Sequence, residues 1–230
     1  MSVADVGYPA TCDTARMDDE LAAAVARVRE AFVHYPRRAV LEGCPHCRPQ
    51  VPVDEGNLFS LTIRLGNTVG DRDDVKALLP VLLERLVTSG GLDPAIVLAK
   101  LPQEQWRTWP EAEQDAVHGY LDSVWRSLLA EYPSRVRCFA DAATFLDAAA
   151  ATGESVSRFL DAWDATSGSS ADRHLADLVT RCAFAGRRAP AEKAWLHREA
   201  VRARLYCAFE REHDTPWADD LARACDLIGA

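Results

Sequence analysis

The stretch GCPHC contains the two residues of this chain whose spacing is most typical of chemistry, Cys44 and Cys47. Cysteines separated by two residues occur in dithiol redox centres and in half of a structural zinc site. In a dithiol oxidoreductase the first cysteine lies at a helix N-terminus after a buried strand, where the helix dipole lowers the thiol pKa. Here Pro49 and Pro52 interrupt the segment that follows the pair, so no ordinary helix can begin there. The sequence context therefore disfavours the redox interpretation.

A structural zinc ion is the second chemistry that this pair could serve. Two thiolates in a turn supply half of a tetrahedral site, and the sequence has no second close cysteine pair for the other half. His46 in the loop, His34 before it, or Cys12 could complete the site. We therefore name Cys44, Cys47, His46 and His34 as candidate ligands of one zinc ion. The interpretation that we favour needs no cofactor, because small thiols are commonly packed against neighbouring helices.

Two further features suggest a surface for a partner. The segment 181–204 is locally basic on an acidic chain, so its basic residues, among them Arg198 and Arg202, could recognise an anionic ligand, a phosphate or an acidic partner. Trp106 and Trp109 lie at a predicted turn, and aromatic residues and arginine are enriched at protein interfaces. These four residues are the candidate partner contacts. The competing interpretations, which we favour, are a solvated helix face for the arginines and core packing for the tryptophans.

Composition and motifs narrow the function classes. A chain of 230 residues with 48% hydrophobic and 27% charged residues fits a globular protein, and its net charge of −9 disfavours nucleic acid and anionic membranes as partners. It has no Walker-type loop, Gly-x-Ser-x-Gly elbow, His-Glu-x-x-His or dinucleotide-binding motif. Seven scattered cysteines argue against a disulfide framework and predict a cytoplasmic protein. We predict neither a secretory signal nor a membrane span.

Apolar residues recur with helical spacing along most of the chain. In DRDDVKALLPVLLERLVTSGG they follow an i, i+3, i+4, i+7 pattern, which acidic residues open and Gly90 and Gly91 close. Pro80 is expected to kink or briefly break this helix. Asp93 is a predicted N-cap, and PAEKAWLHREAVRARLYCAFEREH is predicted to form one long helix. No segment shows the alternation of a strand, so no sheet is predicted.

These elements predict an all-α fold. We expect about nine to ten helices in stacked antiparallel pairs, which form an irregular helical solenoid or bundle. The helices are expected to make a single domain over residues 1–230. The sequence TSGSS predicts a flexible subdomain joint near residues 166–170.

Three stretches, FVHYPRRAVLEGCPHC, GGLDPAIVLAKL and WRTWPEAEQDAVHGYLDSVWRSLLAEYP, carry a resemblance that covers roughly residues 30–135. This region resembles an uncharacterised family of helical proteins from high-GC bacteria. The resemblance implies an all-helical fold and a bacterial source, and it supplies neither an activity nor a catalytic residue.

The leading functional hypothesis is therefore a non-enzymatic, cytoplasmic helical protein that binds another protein. Its acidic charge suits an accessory or immunity-like role toward a basic partner. The alternative is a zinc-dependent or thiol-based enzyme centred on the loop at Cys44 and Cys47. No catalytic residue and no bound cofactor other than zinc is predicted.

Overall fold

The chain is mainly helical, with 68% helix and 4% strand, which confirms the predicted helical class. The computed structural model describes residues 11–46, 50–185 and 190–229, with side chains from residue 19 to 183 and from 190 onward within those ranges. Its α-helices are α1 Thr11–Ala31, α2 Leu58–Arg64, α3 Arg72–Thr88, α4 Pro94–Leu98, α5 Lys100–Gln103, α6 Glu111–Ala130, α7 Ala142–Ala150, α8 Ser157–Ala165, α9 Ser169–Ala185, α10 Pro190–Leu196, α11 Glu199–Glu212 and α12 Ala218–Gly229. The described residues thus form twelve helical segments, two of them separated only by Ala99, so the predicted count of nine to ten was too low.

Local sequence fixes both ends of α3, as predicted. Asp71 and Asp74 each accept a hydrogen bond from the other's backbone N–H, which makes a capping box at the start of the helix. After Thr88 the chain passes through Gly90 and Gly91 with φ angles of 69° and 86°. Glycine adopts this left-handed conformation without a Cβ clash, so the chain can leave the helix sharply.

A two-stranded antiparallel sheet, which the sequence did not predict, encloses the Cys44 loop. Strand β1 is Val40–Glu42 and strand β2 is Gln50–Pro52. Leu41 pairs with Val51, and both side chains are buried against the helices. The expectation of no sheet was wrong, because three-residue strands are too short to show an alternating pattern and their pairing depends on contacts with other parts of the chain.

The core is continuous and contains a run of aromatic rings through its centre. Trp125 stacks on Phe145 at 4.7 Å between ring centroids and meets Trp163 edge-on at 5.2 Å. Trp163 in turn stacks on Trp195 at 5.2 Å. These rings belong to α6, α7, α8 and α10, so they join the two sides of the predicted joint. None of the described helices is long and apolar enough to span a bilayer.

The segment predicted as one long helix from Pro190 is broken into α10 and α11. Two side chains donate to the carboxylate of Asp164 on α8: Trp195 near the end of α10, over 2.9 Å, and Arg198 within the break, over 3.1 Å. The helical period continues across the break, so apolar spacing alone does not show where the chain turns.

Candidate functional site

The hairpin that contains Cys44 is anchored on the N-terminal end of α3. Arg38 donates from Nε to Asp74 Oδ1 over 2.7 Å and from Nη2 to Asp71 Oδ2 over 3.0 Å. The backbone N–H of Gly70 donates to the carbonyl of Glu42 over 2.8 Å. Gly70 has φ of 70°, and a Cβ there would lie 2.9 Å from the Asp74 carboxylate, so the close approach requires glycine. These contacts hold the base of the hairpin.

The predicted zinc ligands are only partly described. Cys44 is half-buried and His46 exposed in the hairpin loop, whereas Cys47 lies outside the described residues. Among the residues that the structure describes, no group of three His, Cys, Asp or Glu side chains could hold a metal ion, so Cys44, His46 and His34 do not form one. Zinc binding through Cys47 stays a prediction.

His34 instead borders a buried charged cluster, which comprises Tyr35, Lys76, Glu113 and Trp109. The His34 Nε2 lies 3.5 Å from Glu113 Oε1. The Lys76 ammonium donates to Glu113 Oε2 over 2.7 Å and to the Tyr35 hydroxyl over 2.8 Å, and that hydroxyl donates to Glu113 Oε1 over 2.8 Å. The Trp109 ring centroid lies 4.5 Å from the ammonium.

This charged cluster joins the end of α1 to α3 and α6. Burial raises the pKa of Tyr35, and the neighbouring Glu113 raises it further despite the opposing effect of Lys76. The phenol therefore stays protonated at neutral pH and can donate to Glu113. Lys76 and Glu113 are both almost fully buried, and their contacts with each other and with Tyr35 connect the three segments.

Trp106 and Trp109 are core residues, with exposed fractions of 1% and 4%. The Trp106 indole donates to the carbonyl of Thr152 and the Trp109 indole to that of Glu104, both over 3.1 Å. Side chains buried to this extent pack within the fold. The structure therefore corrects their candidacy as partner contacts and supports core packing.

Arg198 and Arg202 remain at the surface, but each has an intramolecular partner. Arg198 pairs with Asp164 at 3.1 Å, and Arg202 lies 3.6 Å from Glu199 one turn away on α11. Exposed pairs of this kind add less than about 1 kcal/mol to stability. Partner contact through these arginines stays a prediction.

An open groove runs along α3 next to the hairpin. We call it the α3 groove: its floor is α3, and its walls are residues 29–37 on one side and 53–58 on the other. It consists of two adjoining cavities of about 520 Å³ each, and Arg37, Val81 and Glu84 line both. Pro80 also lines it, within a helix that continues without the expected break.

Arg37 is the one arginine of the α3 groove without a described hydrogen bond or ion pair. Arg29 pairs with Glu84 and Arg85 pairs with Glu55, so these two cations are neutralised within the groove. The remaining carboxylate, Asp54, accepts a hydrogen bond from the backbone N–H of Asn57 over 3.0 Å. Arg37 is thus an exposed cation at the point where the two cavities meet.

Sequence reasoning missed Arg37 and its apolar neighbour Val33, whose exposed fraction is 77%. The available signal was the segment YPRR a few residues after α1, in which two adjacent arginines follow a proline. Only the structure separates their roles, because Arg38 binds two carboxylates and Arg37 binds none among the described residues.

No protein-family model matches this chain, and neither the curated proteins nor the solved structures contain a match to it. The resemblance to helical proteins of high-GC bacteria therefore stays a prediction. Function has to be argued from the geometry of the candidate surfaces.

Proposed function

We propose that this chain is a non-enzymatic, cytoplasmic helical protein that binds an extended segment of a partner protein in the α3 groove. Arg37 carries the proposal, because it is an unpaired cation between two cavities whose linings mix apolar side chains with charged residues. A partner carboxylate at this point would form a charge-assisted hydrogen bond with a guanidinium that gives up no internal pair. The bound segment therefore contains Asp or Glu flanked by apolar residues.

The length of the α3 groove suits a short extended peptide. Its floor runs from Ala77 to Thr88, and the eleven rises between these twelve residues correspond to about 16 Å at 1.5 Å per residue. An extended strand advances about 3.3 Å per residue, so about five residues fill this length. The carboxylate would occupy the middle position of the five, opposite Arg37.

Apolar contacts would supply the rest of the affinity. Val33 is exposed at one wall, Leu58 is buried beneath the other, and Val81 lies on the floor between them. Covering such side chains is worth about 25 cal/mol per Å² of apolar surface, before the cost of ordering the peptide. The net charge of −9 would favour a partner that is basic outside the bound segment, as suits an accessory or immunity-like role. Antiparallel stacking of the helices would hold the walls and floor of the α3 groove rigidly in place.

Site-specific photo-crosslinking in the native host tests this proposal. A benzophenone amino acid is placed at Val33, inside the α3 groove, and in a second variant at Tyr206, an exposed residue of α11. We expect one protein to be cross-linked from position 33 and not from position 206. Mass spectrometry of the adduct should locate the contact in a segment that contains Asp or Glu.

Charge reversal at the centre of the α3 groove provides the matched comparison. Arg37→Glu should remove the cross-link, whereas Arg137→Glu, at another exposed arginine without a described partner, should keep it. Equal cross-linking from positions 33 and 206, or a cross-link that survives Arg37→Glu, would contradict the proposal.

A further inference from the structure

A second concave site lies between the C-terminal helices, away from the α3 groove. This α9–α12 pocket is a cavity of about 550 Å³, bordered by the end of α9, α10, the start of α11 and the end of α12. Cavities of about 300 to 1,000 Å³ with mostly apolar walls are typical of small-molecule sites. Its size alone therefore permits a small ligand.

The lining of the α9–α12 pocket combines apolar walls with a basic side. Val179, Leu196 and Ile228 are among the apolar residues. Lys193, His197 and Arg202 supply the nitrogen groups, and none of the described lining residues is Asp or Glu. On a chain with 35 acidic and 26 basic residues, a pocket with two cations and no described carboxylate is selective for negative charge.

These cations are available to a ligand. Lys193 is exposed and has no side-chain hydrogen bond or ion pair with the described residues. Arg202 has only Glu199, at 3.6 Å and 82% exposed, which is too far for a hydrogen bond. An anion between Lys193 and Arg202 would replace a weak, solvent-screened pair with two direct charge-assisted contacts.

We propose that the α9–α12 pocket binds a small amphipathic anion, with an apolar chain or ring in the cavity and one carboxylate or phosphate at Lys193 and Arg202. Arg202 is then a ligand-binding residue, which selects the anionic ligand among the roles that the sequence left open for this basic segment. The apolar part of the ligand would cover Val179, Leu196 and Ile228. This inference is independent of the α3 groove, with which the pocket shares no described lining residue.

Titration calorimetry with decanoate, decyl phosphate and decanol tests the inference on the full-length chain. We expect saturable one-to-one binding of at least one of the two anions and at least about tenfold weaker binding of decanol, because the charged contacts are lost. The preferred anion distinguishes a carboxylate from a phosphate ligand. Lys193→Gln with Arg202→Gln should weaken anion binding at least about tenfold.

Two further variants guard against indirect effects. Arg223→Gln removes an exposed arginine of α12 outside the pocket and should leave anion affinity unchanged. Ile228→Trp fills the cavity and should weaken the anions and decanol alike. The inference is overturned if neither anion saturates, if decanol binds as tightly as the anions, or if the Lys193 and Arg202 substitutions leave affinity intact in a protein with native circular dichroism.

Discussion

Lysine is rare in this chain, and two of its three positions are buried sites that suit a compact ammonium group. Of the three lysines, Lys76 and Lys100 are buried, whereas Lys193 is exposed. Burial lowers the pKa of Lys100, opposed by the nearby Glu104. Arginine would bring five donors in a rigid fork into these sites, and the protein offers too few acceptors around them. Lys76 uses one carboxylate, one hydroxyl and two aromatic faces instead.

The Lys76–Glu113 pair should show the signature of a buried ion pair. Lys76→Met or Glu113→Met alone leaves an uncompensated charge, so each should lower the free energy of unfolding by about 3–5 kcal/mol. The double variant should lose less than the sum of the two, because both charges are gone. Urea denaturation followed by circular dichroism gives the three values.

An exposed pair provides the reference for this cycle. Arg223 lies 3.6 Å from Asp220, and both side chains are about 60% exposed, so Arg223→Met should change stability by about 0.5 kcal/mol or less. If Lys76→Met costs no more than Arg223→Met, the buried pair does not hold the three segments together.

His174 should make stability depend on pH. Its ring is buried, and Nε2 donates to the carbonyl of Glu131 over 3.0 Å. Burial lowers the pKa of His174 below 6.5, although Glu131, Asp177 and Asp141 oppose the shift. His174 therefore binds a proton more readily in the unfolded chain than in the folded protein. The stability that the neutral, buried ring contributes is lost as pH falls below 6.5.

Replacing this histidine should flatten the acid side of the stability profile. Between pH 7 and pH 5, His174→Gln should lose less of its own unfolding free energy than the wild type loses, because glutamine does not titrate. His213→Gln, at an exposed histidine, is the comparison variant. Parallel slopes for the wild type and His174→Gln would show that His174 does not set the dependence.

At the scale of elements, the sequence predicts long helices well and short elements poorly. The capping box of α3, and the Asp93 carboxylate that accepts from the N–H of Ala95 over 2.8 Å, are local signals, and both confirm predicted helix starts. The hairpin and the α10–α11 break depend on Gly70 and Asp164, which are distant in sequence. Periodicity carries no information about such contacts.

The α3 groove could not be predicted for the same reason. It forms where the chain after α1 and the chain before α2 pass on either side of α3. The sequence of each segment, taken alone, predicts only a short loop. The sequence predicted a preference for a basic partner from the net charge of the whole molecule. The charge that the α3 groove presents depends instead on which of its arginines form ion pairs.

Packing and a structural zinc ion are the two interpretations of Cys44 and Cys47 that a stability experiment on the hairpin can distinguish. Because the strands and the Arg38 contacts hold its base, we expect packing to suffice: protein purified without chelator should carry no stoichiometric zinc. Cys44→Ser with Cys47→Ser should then melt within a few degrees of the wild type, and chelator should change neither protein. Metal analysis and thermal denaturation are the measurements.

A zinc clip predicts the opposite pattern. Metal binding contributes to folding stability, so one zinc ion per chain would make the melting temperature fall on chelation. The double variant would lose both the metal and that sensitivity, whereas Cys207→Ser, at an exposed cysteine of α11, would keep them. This result would revive the zinc-dependent alternative for the hairpin.

At the scale of the whole molecule, several contacts cross the predicted joint near residues 166–170. Tyr132 donates to Asp177 Oδ2 over 2.6 Å, and Arg181 pairs with Asp141 at 2.9 Å. Burial, followed by the carboxylate of Asp177, raises the pKa of Tyr132 to about 12, so its phenol remains a donor at neutral pH. These contacts favour the predicted single domain.

Arg204 on α11 binds residues on both sides of the predicted joint. Its guanidinium donates to Asp172 Oδ1 over 2.6 Å and to the carbonyls of Trp163 and Thr166 over 2.7 Å each. Asp172 is almost fully buried and would keep only Arg211, at 2.7 Å, so Arg204→Met should lower the free energy of unfolding by about 2 kcal/mol. Arg202→Met, in the same helix, removes only a weak exposed pair and should cost about 0.5 kcal/mol or less.

Hydrogen exchange at increasing urea then separates one domain from two. If the aromatic core unites the chain, α3 and α6 should lose protection at the same urea concentration as α9 and α11, and Arg204→Met should shift all four to lower urea together. Trp163 can couple the unfolding of the two sides of the joint, because its ring contacts Trp125 on one side and Trp195 on the other. Earlier loss of protection in α9 and α11 alone, in the wild type or in Arg204→Met, would show that the joint divides two cooperative units.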